Sequence, residues 1–230
     1  MVSNTLTQSI TDEQISSFDA IKEANKLFGD ADGLKNYYDM WSDDYDRDVA
    51  NEDYCGPDYI AAYFDLLPKE DGKFLNLSNN EIKILDSGCG TGLVGIALRR
   101  KGYNNVDGFD LSIGMVEEAE KTEAYRKLTG GCDMTQRIEA YPDNSYDAAI
   151  SCGVFTLGHV PPTAVEEMIR VTKPGGLVVL STRKSYYDTT NFQEVCDRLQ
   201  VEKKAKLVSS IIDAPYIAEE GAHYWAFKVC

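Results

Sequence analysis

The chain has 230 residues, 43% of them hydrophobic and 27% charged, which suits one globular domain with a single core and a small addition. Its net charge is −15, and residues 1 to 60 alone hold 14 acids against 4 bases, a balance that repels phosphate backbones and anionic membranes. Nucleic acid and membranes are therefore not expected as partners, and a neutral or cationic small molecule fits better. The six cysteines form no C-x-x-C pair and have no histidine at metal-ligand spacing, so they read as free thiols of a cytoplasmic protein without a metal.

Thr11-Asp12-Glu13-Gln14 has the pattern of a capping box, and Ile15, Phe18, Ile21, Ala24 and Phe28 recur at helical spacing up to Gly29. A second helix carries Leu34, Tyr37, Tyr38, Trp41, Tyr45 and Val49 on one face, with Asp39, Asp43, Asp44 and Asp46 largely off it. Such rings either dock the helix on the domain or hold a polar tip at a wet pocket. Pro57 suits the first turn of a third helix that Pro68 stops, and residues 69–80 are a polar loop. Residues 1–80 thus form a helical cap, part of the same domain as an α/β body over 81–230.

In that body a strand at 82–86 leads to a helix at 93–101. A strand at 106–109 follows, then a helix capped by Ser112 and running to Leu128. A short third strand is expected at 130–134, and a clearer one at 146–152. After a helix to Thr172, Lys173-Pro174-Gly175-Gly176 turns into a strand at 177–180. Beyond a helix near 191–204, runs at 206–212 and 222–229 are spaced for an antiparallel pair, which makes the sheet mixed.

The stretch Ile82-Lys83-Ile84-Leu85-Asp86-Ser87-Gly88-Cys89-Gly90-Thr91-Gly92 organises the rest: a strand ends on an acid and turns through alternating glycines into a helix. Gly90 to Gly95 also satisfies the dinucleotide pattern G-x-G-x-x-G. Asp86, two residues before Gly88, would repel a pyrophosphate and suits an ammonium group, which favours the other register, Asp-x-Gly-x-Gly-x-Gly. Asp110 closes the second strand 22 residues after Gly88, where a carboxylate accepts both hydroxyls of a ribose.

In that register Leu85 to Gly92 resembles motif I of the class I S-adenosylmethionine-dependent methyltransferases. Phe109-Asp110-Leu111-Ser112 with Met115 resembles their ribose-binding segment, Cys132-Asp133-Met134 stands where the family places an acid facing the adenine, and Arg170 to Gly176 resembles a late strand-entry signature. Tyr38 to Asp46 and Gly153 to Pro162 are similar to segments of the methyltransferase-like protein 27 group. The resemblance implies a Rossmann-like fold, a mostly parallel mixed sheet with an antiparallel C-terminal strand, and S-adenosyl-L-methionine as cofactor. It places Tyr38, Trp41, Asp86, Gly88, Cys89, Gly90, Asp110, Leu111, Met115, Asp133, Met134 and Cys152 around that cofactor.

Methyl transfer from a sulfonium is a direct displacement, so positioning and exclusion of water supply most of the rate. Tyr37, Tyr45, Phe155 and His159 are expected on the acceptor side, with His159 either a general base or a structural histidine. The acidic cap points to an amine or another neutral-to-cationic small molecule. A protein substrate and a non-catalytic, cofactor-binding partner subunit remain alternatives. A dehydrogenase is disfavoured, because the one Tyr-x-x-x-Lys, Tyr224 to Lys228, falls inside the last strand.

Overall fold

The computed structural model describes residues 16–24, 26–27, 30–67 and 77–230. The capping box at Thr11, Phe28 and most of the polar loop lie outside the described residues. Before the sheet come α1 (Ser17–Ala24), α2 (Ala31–Asn51) and α3 (Gly56–Leu66). The alternating part runs β1 (Ile84–Ser87), α4 (Leu93–Arg100), β2 (Val106–Phe109), α5 (Ile113–Lys121), β3 (Lys127–Thr129), β4 (Tyr146–Phe155), α6 (Val165–Val171) and β5 (Thr172–Arg183). It ends with α7 (Lys184–Thr189), α8 (Phe192–Val201), β6 (Ala205–Ala214) and β7 (Ala222–Val229).

The seven strands form one sheet in the order β3-β2-β1-β4-β5-β7-β6. Only β7 runs against its neighbours, pairing antiparallel with both β5 and β6. This is the mixed, mostly parallel sheet with an antiparallel C-terminal strand that the sequence implied. Strand alternation sends side chains to two cores. Leu85, Ala149, Val178 and Phe227 pack on one face against Met168 of α6 and Leu199 of α8. Ile84, Ala148, Ile150 and Val179 pack on the other against Ile60 and Phe64 of α3 and Leu98 of α4. Of the three leading helices, α3 therefore belongs to the sandwich, while Ala20 and Ala24 of α1 and Trp41 of α2 form a separate small cluster.

Three expected elements are corrected. The helix after Ser112 stops at Lys121 rather than Leu128, where Glu123 takes a left-handed φ of 55° and reverses the chain. The third strand is Lys127–Thr129, not 130–134, because Arg126 grips both carboxylate oxygens of Asp107 on β2 (2.9 and 2.8 Å) and starts the pairing three residues earlier. A short helix, α7, precedes the expected one near 191. Among the described residues no helix is long and apolar enough to cross a membrane.

Helix α2 lies across α5. A Cβ on Gly114 would stand 3.0 Å from the Asp39 carbonyl oxygen and the Ser42 hydroxyl, so glycine is what lets the two helices approach. The Asp39 carboxylate then spans the contact, accepting from the Ser112 hydroxyl at 2.6 Å and the Gly114 N–H at 3.0 Å. Partial burial pushes this carboxyl up, but hydrogen bonds from Lys35, Ser112 and Gly114 outweigh it and hold the group at about 2. A depressed folded-state pKa means stability that is present above about pH 4 and fades as the pH falls toward 2. Asp39→Ala is expected to cost about 2 kcal/mol in urea unfolding at pH 7. It should also show a shallower loss of stability than the parent between about pH 4 and 2.

Candidate active site

The sheet order reverses between β1 and β4, and in open α/β sheets ligands bind outside the carboxyl ends of the strands at such a point. A cavity of about 420 Å³ lies there. Its floor is the loop after β1, which is strapped to the neighbouring strand because the Gly88 and Cys89 N–H groups both donate to the Phe109 carbonyl at 2.9 Å. Gly90 follows with a φ of +53°, and a Cβ built on it would meet nothing within 4 Å, so the loop presents bare backbone to free space.

Asp110 stands beside this loop. Its Oδ2 accepts from the Gly90 N–H at 2.8 Å and its Oδ1 from the Ser112 N–H at 2.9 Å. Burial outweighs these bonds and raises its pKa. Each carboxylate oxygen still has a lone pair to offer a ligand hydroxyl. Leu111, Met115, Cys132, Asp133 and Met134 continue the wall on this side, and Cys152, Gly153 and Val154 close it at the end of β4. Asp133 is partly committed, since its Oδ1 accepts from the Thr135 N–H at 2.8 Å.

The lid is α2, which contributes Leu34, Tyr38 and Tyr45. Tyr38 meets His159 at 2.7 Å between its hydroxyl and Nε2, while His159 Nδ1 lies 3.0 Å from the Leu157 carbonyl. A carbonyl only accepts, so Nδ1 carries the hydrogen and Nε2 accepts from the Tyr38 hydroxyl. Burial lowers the His159 pKa to about 4, leaving a neutral ring whose one lone pair is already engaged.

Four expected contacts are not made at the cavity. Asp86 is fully buried and off the wall; its Oδ2 accepts from the Tyr125 hydroxyl at 2.6 Å and its Oδ1 has no partner. Tyr37 and Trp41 turn toward α1 and the helix itself, with Tyr37 donating to the Ala20 carbonyl at 2.7 Å and Trp41 to Asp48 at 2.9 Å. The apolar face read from the sequence is wider than the cavity, and its far edge docks α1. Phe155 points into the core against Tyr186 and Phe192. Four of the six acids of α2 are engaged elsewhere: Asp46 accepts from Thr91, Asp44 pairs with Arg47, and Asp39 and Asp48 are engaged as above.

Sequence reasoning missed Tyr54 and Tyr216. Tyr54 reaches the cavity from the turn after α2, and Tyr216 comes from the β6–β7 hairpin. The Cys55 N–H donates to the Tyr216 carbonyl at 2.8 Å and brings these distant segments together. Neither carries a local sequence signal; only the tertiary fold joins them.

Residues 85–180 match a family model described as a methyltransferase domain. With the loop, the acid after β2 and the sheet order, these residues are similar to the domains of class I, S-adenosylmethionine-dependent methyltransferases. In sequence the chain is similar to methyltransferase-like protein 27 of Homo sapiens, with 38% identity over 149 residues, covering 64% of this chain and 57% of that protein. It is also similar to the malonyl-[acyl-carrier protein] O-methyltransferase of Erwinia pyrifoliae, 37% identical over 105 residues, covering 45% of this chain and 38% of the relative. The chain thus spans little more than half the length of the first relative and less of the second. In fold it matches a TehB-like SAM-dependent methyltransferase from Corynebacterium glutamicum with a TM-score of 0.58 and 19% identity, covering 85% of this chain and 97% of that one.

The residues present suit S-adenosylmethionine. The empty space above Gly90 is a cradle that any Cβ would fill, Asp110 has lone pairs free beside it, and Leu111, Met115 and Met134 give an apolar wall. The volume lies within the range of small-molecule sites.

Asp86 props this floor from below, since the Tyr125 hydroxyl that it holds also accepts from the Gly95 N–H at 3.0 Å in the first turn of α4. Burial pushes the Asp86 carboxyl up to about 7. A raised folded-state pKa gives stability that is complete below the unfolded value and is lost as pH rises through the folded one. Asp86→Asn is therefore expected to flatten the change in urea midpoint between about pH 4 and 8, with its largest gain over the parent at the alkaline end.

Proposed function

We propose that the chain is an S-adenosylmethionine-dependent methyltransferase that acts on a small-molecule acceptor by direct displacement. The observation that carries this reading is the Asp110 carboxylate, clamped by the Gly90 and Ser112 N–H groups beside a glycine loop open to the cavity. When bound, the cofactor supplies a methyl group on a positively charged sulfur.

The chain's own residues then have distinct tasks. Asp110 accepts the ribose hydroxyls, and the backbone of Gly88, Cys89 and Gly90 borders the methionyl part. Leu111, Met115, Asp133 and Met134 hold the adenine side, with Cys152 at the end of β4. Tyr38 and Tyr45 cover the reacting centre and exclude water, and their rings suit a neighbouring cation. His159 fixes the Tyr38 hydroxyl, and its low basicity makes it a positioning residue rather than a general base.

The same proposal includes a single domain, with α2 acting as cover, and a cytoplasmic setting consistent with the six free thiols. The small size of the cavity supports a small acceptor over a macromolecule. An amine acceptor draws less support than the sequence suggested, because Asp39 and Asp46 of α2 are spent on contacts to the body and Asp48 on Trp41.

Isothermal titration with S-adenosylmethionine, S-adenosylhomocysteine and NAD tests the reading. The first two are expected to bind at micromolar concentration, and Asp110→Ala should weaken both by about 100-fold, the loss of two charge-assisted hydrogen bonds. Binding of NAD in their place would reject it.

A further inference from the structure

Beside the cofactor cavity lies a smaller chamber of about 40 Å³, and Tyr38, Tyr45, Tyr54, Gly153 and His159 line both. A water takes about 30 Å³ of liquid, so the chamber admits a group of a few atoms. Its inner wall includes Thr156, Arg183 and Tyr216.

One polar group of the chamber, the Thr156 hydroxyl, stands unpaired, while Tyr38, His159 and Arg183 are engaged. Thr156 is 5% exposed and its buried hydroxyl has no hydrogen-bond partner. The Tyr54 hydroxyl meets the Cys152 sulfur at 3.5 Å, and its contact to the Tyr216 hydroxyl is long at 3.4 Å. Burial raises the pKa of Tyr38, Tyr54 and Tyr216, so all three stay protonated. Arg183, 5% exposed, adds a cation, anchored by Glu219 at 2.9 Å and Glu220 at 2.6 Å. Among the described residues no carboxylate lines the chamber itself. An unpaired buried hydroxyl beside a guanidinium is costly unless a ligand that accepts hydrogen bonds completes it.

We infer that the methyl acceptor is a small carboxylic acid whose carboxylate sits in this chamber and takes the methyl on oxygen. This deepens the methyltransferase reading and rests on it. A carboxylate lone pair forms the new O–C bond as the C–S bond of the sulfonium breaks, its electrons staying on sulfur. The products are a methyl ester and a neutral thioether, and no proton moves. That balance suits a site whose one nearby imidazole has its lone pair committed to Tyr38.

The test uses S-adenosylmethionine with a tritiated methyl group and a panel of small carboxylic acids, amines, thiols and phenols. Alkali releases a methyl ester as volatile methanol and leaves the other products intact. In parallel, benzoate and benzylamine are titrated onto the protein saturated with S-adenosylhomocysteine. The expected result is base-labile label from an acid and binding of benzoate but not benzylamine. Thr156→Val should weaken benzoate about tenfold while cofactor affinity stays unchanged and the thermal midpoint holds or rises, because an unpaired buried hydroxyl is gone. Tyr54→Phe should move benzoate in the same direction. Label only in base-stable products, or no binding of benzoate to the loaded protein, overturns the acceptor assignment. Failure of S-adenosylhomocysteine to bind at all instead overturns the reading beneath it.

Discussion

A partly buried carboxylate must be surrounded by donors, and the rest of this site follows from how Asp110 meets that demand. It takes one N–H from the glycine loop and one from the turn that starts α5, so the two loops cannot shift independently. Ser112 carries the constraint onward. Its hydroxyl accepts from the Met115 N–H as the cap of α5 and donates to Asp39 on α2. Floor, cavity wall and lid are thus joined by one continuous chain of hydrogen bonds that begins at Gly90 and ends on the covering helix.

The acids of this strongly acidic chain divide by environment rather than by position. Asp39 is donor-rich and stays ionised well below the usual range. Asp86, with one phenol for company, is driven toward neutrality. Asp107 is buried yet fully paired, with Arg126 on both oxygens and the Tyr146 hydroxyl at 2.8 Å. A carboxylate paired in this way fixes geometry at the sheet edge, where β3 is too short to hold itself. Part of the acidity of α2 is structural: Asp39 and Asp46 secure the lid to the core.

Much of this architecture could be read before folding. The strand, glycine loop and acid at the end of β2 are local signals, and the sheet and its antiparallel strand agree with them, while Gly88, Asp110 and Met115 line one cavity. The errors arise where local pattern yields to tertiary contact. No glycine or proline marks the end of α5, because the chain is turned by Tyr125 and Arg126 reaching back to Asp86 and Asp107. The aromatic face of α2 gave the right helix, but periodicity cannot say which half of a wide stripe meets a cavity and which half meets another helix. Asp86 was misplaced for the same reason: its spacing from Gly88 was legible, whereas Tyr125, 39 residues away, seals it off.

The Tyr38–His159 contact shows what kind of catalyst such a site can be. An imidazole serves as a base at neutral pH when it is near its ordinary pKa with a lone pair free. Here burial has weakened it and a phenol occupies the lone pair. The pair therefore acts as a hinge pin, tying the lid to the segment after β4 across the mouth of the cavity. A displacement that needs no proton transfer asks for this arrangement, since order and dryness contribute to the rate and a strong base would add nothing.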